Sequence, residues 1–367
     1  RIDRGFQVYL SAYAECARAL DLPGLRLAAF EPGALVRREG DWRTVADPLR
    51  RPGLLWSTLK SGIGNWGDRW RVLRLKRELK RASVAEIFER PDISALQTLR
   101  ERGFSEGMIE GFFRPFFSGI FLENELETSR RVFEFVFKMF GRGYATLPAN
   151  GIGAIPMQMA HSLDAGRLLL GVPAERVEGR LVHAADGRVF KARAVVLATD
   201  AAAVPRLLPE DAPEGAIEFN STTALYYEAP YSPLPRPTIA LNGEQRGLVN
   251  NVTVPSDIQP GYAPPGRHLV SVSLLGTHDP DGIRTEVEQQ LQDWFGETVR
   301  DWQCLTAQVA PDALPRFVGG TCAPRENRAR RAERCFRCGD YLHTPSLEGA
   351  MIAGRRAAEA CIRELGA

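Results

Sequence analysis

The 367 residues contain no apolar run approaching the eighteen or so that a membrane-spanning helix needs, which sets aside an integral helical membrane protein. Cysteine is sparse. Six residues lie scattered, without the framework of a small secreted domain, and that usage suits a reducing, cytoplasmic compartment. Only one CxxC occurs, Cys335-x-x-Cys338, so a zinc site lacks half its ligands. If that run is extended, its two cysteines face opposite ways and neither chelate nor pair easily. The five histidines (161, 183, 268, 278 and 343) show no ligand spacing, and no metal site is assigned. His343 reads as a solvated loop residue. No Gly-x-Ser-x-Gly element supports a hydrolase. With a net charge of +2, nothing in the overall balance calls for nucleic acid, and the basic run at 325–334 has no interleaved aromatics, so it reads as a solvated linker. A strand–GxGxxG–helix is also missing; Gly62, Gly64 and Gly67 come closest but follow no apolar strand. The chain opens on Arg1-Ile2-Asp3-Arg4-Gly5-Phe6-Gln7, without an initiator Met or a signal peptide.

What is present is an ordinary soluble composition, 44% hydrophobic and 25% charged, in a chain long enough for two domains. Its most informative stretch is 335–361, CFRCGDYLHTPSLEGAMIAGRRAAEAC. A short extended run stops at Gly339-Asp340, a loop carries Pro345, and Ser346 is placed to cap a helix through Ala350, Ile352, Ala357 and Cys361. Gly339 lets a ligand approach the backbone, and Asp340 sits at a strand's carboxyl end, where open α/β sheets bind ligands. The first amides of the helix, near Glu348, Gly349 and Ala350, favour an electron-rich oxygen, provided they face a cleft and are not already taken.

The order of these residues resembles the carboxyl-terminal flavin motif of the amine oxidase, phytoene desaturase and protoporphyrinogen oxidase superfamily. The resemblance implies FAD as cofactor, with Gly339, Asp340, Glu348, Gly349, Ala350 and Met351 as contacts. Asp340 would meet the ribityl or diphosphate part, and the helix start the N1–C2=O edge of the isoalloxazine. Asp3-x-Gly5 resembles the family's D-x-G loop, which makes Asp3 and Gly5 further contacts. Residues 147–153, Leu-Pro-Ala-Asn-Gly-Ile-Gly, resemble the P-x-G-G segment that leads back into the flavin domain. By the same likeness the backbone near Val177 touches the adenine. The missing dinucleotide fingerprint is then expected roughly 30 to 50 residues ahead of Arg1, and residues 1–367 alone should hold FAD poorly.

The remaining chain supplies the other elements. Residues 34–38 and 42–45 read as a hairpin around Glu39-Gly40-Asp41. Residues 54–81 turn helical and basic, with seven Arg and Lys between 69 and 81 among Trp56, Trp66, Trp70, Leu73 and Leu75. This pattern suits peripheral contact with an anionic membrane. The plainer and preferred reading is a solvated helix whose Leu and Trp turn into the protein. Two short helices are expected at 94–103 and 105–113, and a third, capped by Glu127-Thr128-Ser129, runs to Phe140 and is apolar most of the way round. The Phe-rich stretch 112–140 lines a substrate pocket or is plain core; Arg114 pairs with Glu127 or with an acidic substrate group. A helix should reach His161. Strands follow at 176–183 and 189–190, with a turn at Asp186-Gly187, and 194–200 is an apolar strand of the kind covered on both faces of a parallel sheet. Strands at 222–227, 238–241, 247–254, 268–274 and 301–309, with a helix at 281–295, make a mixed sheet on which Tyr226 and Tyr227 face opposite ways.

The fold class expected is α/β with an α+β substrate part. A discontinuous, Rossmann-like FAD-binding domain (1–46, 142–217 and 314–367) interleaves with a helical cap and mixed-sheet substrate domain (47–141 and 218–313). The activity implied by the resemblance is hydride removal from a hydrophobic small molecule (a carotenoid or other polyene, a porphyrinogen or an amine) to flavin N5. No catalytic acid or base is named. A redox-neutral polyene isomerase and a non-catalytic, membrane-associated binding protein of the same fold are the alternatives.

Overall fold

The computed structural model describes residues 1–45, 62–164, 166–208, 217–321, 330–332 and 334–366. Its largest element is a seven-stranded mixed sheet in the order Gln303–Pro315, Phe219–Ala229, His268–Leu275, Val249–Thr253, Ile239–Leu241, Ala34–Arg38, Asp41–Val45. All neighbours are antiparallel except Ile239–Leu241 beside Ala34–Arg38. Alternation along the strands sorts the side chains. Leu225, Tyr227, Val270, Val272 and Leu274 face the helix Pro280–Phe295, where Val287, Leu291 and Trp294 complete an apolar layer. Tyr226 and Ala224 pack on the other face, so the two tyrosines do point opposite ways. The hairpin 34–45 forms as expected but pairs into this sheet, which places it with 218–313 rather than with the flavin segment 1–46.

A helical layer covers 66–142. Trp66–Arg81 opens with a capping box in which Asn65 and Asp68 satisfy each other's backbone amides. Residues 54–61, the first part of the expected basic helix, lie outside the described residues. The expected helix at 105–113 does not stop there: Glu106–Met108 passes through a π-turn at Ile109–Phe113 into Arg114–Phe121. Pro115, which has no N–H to donate, sits just past that turn and fits the shifted hydrogen-bond register. Phe113, Phe117, Phe121 and Phe133 are buried against one another and Phe135 against Tyr13 and Phe88, so these five are core. Arg114 pairs with Glu110, not with Glu127, which instead meets Arg316.

Helix Arg130–Arg142 was read as apolar nearly all round, yet it also buries Glu134 and Lys138, each with partners. The Lys138 ammonium donates to the carbonyls of Leu79 (2.5 Å) and Ala82 (2.6 Å), closing the carboxyl end of the helix Trp66–Arg81. Leu75 and Leu79 turn inward at 1% exposure, but Trp66 and Trp70 turn outward at 71% and 68%. The inward Trp expectation is therefore wrong for both.

On the opposite side, Val195–Leu197 runs parallel to Cys335–Arg337, which pairs antiparallel with Arg330–Ala332. The helix Leu347–Leu365 packs on this sheet through Ala353 and Ala357 against Phe336 and Cys338. The apolar strand is not covered on both faces. Val195 and Leu197 are buried but Val196 is 41% exposed, because Val195–Leu197 is an edge of three strands and only one face carries a layer among the described residues. A further sheet, Ala174–Glu178, Leu181–Ala184 and Val189–Lys191, has hairpins at Gly179-Arg180 and at Asp186-Gly187, so the single strand expected at 176–183 is two. Cys335 and Cys338 fall into different apolar clusters, as residues three apart in a strand must.

Candidate active site

The two parallel strands end side by side, and the chain leaves them at Asp200 and Asp340. Gly339 leads into a 3-10 turn, Asp340–Leu342, and the loop through Thr344 and Ser346 reaches the helix Leu347–Leu365. The Asp340 carboxylate accepts from the Tyr341 amide at 2.9 Å. Burial pushes its carboxyl up to about 6, and neighbouring Asp200 adds to the rise. A carboxyl this hard to ionise in the bare protein is set up to receive donors from a ligand.

Ser346 caps the helix with both its oxygens. Its Oγ accepts from the Gly349 amide at 3.0 Å and its carbonyl from Ala350 at 2.9 Å. Those two amides are therefore not the open ones the sequence pointed to. Among the described residues, nothing accepts from the amides of Leu347 and Glu348, which form the positive helix end. Glu348 contributes its amide only. Its carboxylate accepts from the amides of Glu15 (3.0 Å to each oxygen) and Cys16 (3.1 Å), tying the start of one helix to the start of another, Ala14–Ala19. Arg355 and Glu15 pair at 2.7 Å along the same contact.

Two glycines act differently from expectation. A Cβ on Gly339 would lie 2.2 Å from the Tyr341 ring, and one on Gly349 would lie 2.0 Å from the Thr344 carbonyl. Protein, not an open ligand surface, occupies both spaces. Gly349 lets the buried Thr344 loop close onto the helix, and Gly339 makes room for Tyr341. Met351 and Leu347 pack against the helical-layer core. His343 is buried at 5%, not solvated, with Nδ1 3.1 Å from Thr344 Oγ1.

The amino-terminal loop approaches from the other side. The Asp3 carboxylate accepts from the Ile152 amide (3.0 Å) and the Tyr262 hydroxyl (3.2 Å), so it fixes the turn at Gly151, whose φ is +81°. Gly5, at φ +86°, has nothing within 4 Å of where a Cβ would lie, and so borders open space. Asp3 and Gly5 both influence Tyr226, whose phenol is raised well above its ordinary value chiefly by burial. Around Tyr226 the inner face of the large sheet is polar: Ser271, Thr253 and Asn251 are buried beside it. Thr253 Oγ1 and Asn251 Oδ1 have no hydrogen-bond partner among the described residues. Val177 lies apart from this group, in the apolar cluster of Val195, Leu197 and Cys335.

The structure brings Asp340 and the helix start to one strand–loop–helix junction and sets the Asp3–Gly5 loop beside Tyr226; the polar band on the sheet is not among the residues singled out from the sequence. Its signal was there. Ser271 and Ser273 alternate with Val270, Val272 and Leu274, a period-two pattern inside a strand whose two faces are both buried. No residue of the band or of the helix start is arranged as a metal site; among the described residues no group of three or more His, Cys, Asp or Glu gathers. A flavin suits this donor set: a half-buried carboxyl short of donors and two amides at a helix start that donate to nothing among the described residues, both at one strand–loop–helix junction, with a glycine that borders free space in the amino-terminal loop.

Comparison with known proteins agrees. The family model for flavin containing amine oxidoreductases matches residues 1–362. Three solved structures show the fold. An Exiguobacterium sp. 255-15 protein assigned as a protoporphyrinogen oxidase has a TM-score of 0.73 at 16% identity, with 100% of this chain and 88% of that one covered. Cyclohexylamine oxidase from Brevibacterium oxydans has a TM-score of 0.69 at 15% identity, covering 100% and 88%. An oxidoreductase from Methanosarcina mazei has a TM-score of 0.69 at 18% identity, covering 91% and 82%. No curated protein matches the chain.

Proposed function

The chain belongs to the flavin-containing amine oxidoreductases and is a FAD-dependent oxidoreductase, and from that premise we propose that it takes hydride from a substrate with an apolar body, such as an amine, a porphyrinogen or a polyene. The observation that carries the reading is the junction at Asp340 and Leu347–Glu348. A half-buried carboxyl at a strand end and two amides at the following helix start, which donate to nothing among the described residues, stand within ten residues of each other there. When bound, FAD supplies a two-electron acceptor at N5 for a C–H bond beside nitrogen or an incipient double bond.

The protein's own residues bind, orient and shield. Asp340, when ionised, would accept hydroxyl donors of the cofactor. The amides of Leu347 and Glu348 would stabilise negative charge on it, which would favour its reduction. Glu348, by holding the amides of Glu15 and Cys16, keeps that helix start in place. Asp3 holds the Ile152 turn and the Tyr262 hydroxyl beside the Gly5 loop. We take the flavin-binding part to be discontinuous and Rossmann-like, drawn from 1–33, 142–217 and 314–367 and continued by the backbone near Val177. The substrate part is the helical layer and the seven-stranded sheet. The chemistry requires no side-chain acid or base, and none is assigned.

Anaerobic absorbance spectroscopy tests the proposal. The full-length protein reconstituted with FAD should be yellow, bleach on addition of a candidate amine or polyene, and recover its colour with oxygen or a quinone, whereas residues 1–367 alone should take up FAD poorly. An unbleached flavin with an isomerised product would replace the oxidoreductase by an isomerase. A protein that takes up no FAD, with Asp340→Ala indistinguishable from wild type, would end the flavin reading.

A further inference from the structure

The helix Trp66–Arg81 carries a surface that the oxidoreductase reading does not use. Its exposed residues are Trp66, Trp70, Arg74, Arg77 and Arg81. They are spaced by four, four, three and four residues, so they form one stripe along a single face. The two indoles are 71% and 68% exposed, and Lys80 is exposed at the stripe's margin. The Arg69 guanidinium lies 4.6 Å over the Trp66 ring.

The helix's acidic residues are absent from this face because the protein consumes them. Asp68 is fully buried and accepts from the Ser105 amide at 2.9 Å and the Ser105 hydroxyl at 2.6 Å. Glu78 pairs inward with Arg90 (2.7 Å) and Arg102 (2.8 Å). Leu75 and Leu79 anchor the opposite side in the core, and Lys138 holds the last carbonyls. A rigidly seated helix therefore offers two exposed indoles and, in Arg74, Arg77 and Arg81, a row of cations that pair with no carboxylate among the described residues.

We propose that this stripe docks the protein on an anionic membrane surface. Indoles prefer the headgroup boundary, where a flat apolar ring is buried and its N–H remains wet. The cations supply attraction to anionic headgroups. A nucleic acid or an acidic protein shares the charge complementarity, but stacking on bases needs a groove or platform, and this is a convex helix face in a chain whose net charge is only +2. Among the described residues no helix is long and apolar enough to cross a membrane, so the contact is one of lying on the surface. The inference stands on the helix alone and survives failure of the flavin reading.

The test is vesicle flotation of the whole protein with phosphatidylcholine vesicles and with vesicles containing phosphatidylglycerol, at low and physiological salt. Co-flotation is expected with the anionic vesicles and should weaken with salt. The triple variant Arg74→Gln/Arg77→Gln/Arg81→Gln should lose about a hundredfold in partitioning, near fivefold for each cation. Trp66→Ala/Trp70→Ala should bind more weakly and lose the vesicle-induced blue shift of tryptophan emission. All five positions are exposed, and circular dichroism verifies that both variants fold. The proposal is overturned if nothing co-floats at either salt, or if both variants bind as wild type does. It is equally overturned if the two indoles already emit as buried residues without vesicles, or if poly(U) or an acidic polypeptide binds as tightly as the vesicles and displaces them.

Discussion

Replacing Glu134 with Gln should be the most damaging isosteric change in the helical layer. Glu134 is fully buried, and three guanidiniums share its carboxylate. Arg102 (2.8 Å) and Arg130 (2.9 Å) donate to one oxygen and Arg90 (2.6 Å) to the other. Glu78 joins the same group through Arg90 and Arg102, leaving three cations on two anions. At an effective dielectric of about 20, one such pair at 4 Å attracts by about 4 kcal/mol. Desolvating the carboxylate cancels much of that sum, which is why the intact cluster adds little net stability. The substitution is different. Gln keeps the volume but removes the charge and turns an NH2 toward a guanidinium, leaving excess positive charge in a poorly solvated site.

The expected loss is about 3–5 kcal/mol, the cost of breaking a buried ion pair on one side. At about 2–4 °C per kcal/mol for a unit of ordinary domain size, the melting temperature should fall by roughly 6–20 °C. Glu101→Gln, on an exposed position of the same layer, serves as the control and should stay within about 0.5 kcal/mol. Adding Arg130→Gln to Glu134→Gln should restore part of the loss, since it relieves the surplus cation, and the double-mutant cycle should give a coupling above about 1 kcal/mol. Urea denaturation followed by circular dichroism gives each value. A Glu134→Gln protein within 1 kcal/mol of wild type would refute the reasoning, because it would mean that water or backbone motion screens the cluster.

Three further outcomes follow from particular residues. Hydrogen bonding from Arg102 holds the Glu78 carboxyl down at about 2, against 4.5 when free. Its contribution is therefore present above pH 4.5 and is lost as pH falls toward 2, and Glu78→Gln should flatten stability across pH 5 to 2.5 in urea titrations. Asp340, raised from 3.8 to about 6 chiefly by burial, runs the other way: its stabilising protonated form is complete below pH 3.8 and is lost as pH rises through 6. A flavin that donates hydroxyls to the ionised form should thus bind about tenfold more tightly at pH 7 than at pH 5, and Asp340→Asn should abolish that slope in fluorescence titrations. Gly349→Ala drives a Cβ to 2.0 Å from the Thr344 carbonyl, and backbone on both sides cannot yield cheaply. It should cost about 1–3 kcal/mol and release flavin, with retained absorbance and an unchanged melting temperature as the contrary result.

The strand and helix elements were largely legible because their periods are strong. The mixed sheet shows clear alternation at 219–229 and 268–275, and the helices at 280–295 and 347–365 carry caps and amphipathic spacing. The errors lie where a local pattern depends on distant partners. The helix expected at 105–113 runs on to Phe121, because a π-turn at Ile109–Phe113 carries the chain past Pro115. Val196 belongs to a run that looks buried on both faces, but the layer count over each face is not written in the run itself. Glu134 and Lys138 were invisible inside an apolar helix, since their partners come from residues 79 to 130.

The same reason separates the parts of the candidate site that a local stretch of sequence can name from those that it cannot. Asp340 and the helix start are defined within a dozen residues, so their order alone carried the flavin resemblance. Which amides remain open is a separate question, answered by Ser346, which spends both oxygens on Gly349 and Ala350 and leaves Leu347 and Glu348. Glu348 looked like a ligand contact because it stands at the helix start; its carboxylate instead spans more than 330 positions of sequence to the amides of Glu15 and Cys16. That clamp gives the geometry its logic. Anionic charge beside those amides would repel an electron-rich ligand edge, and the two backbone amides donated to the carboxylate hold it on the Ala14–Ala19 helix start and tie the amino-terminal segment to this junction.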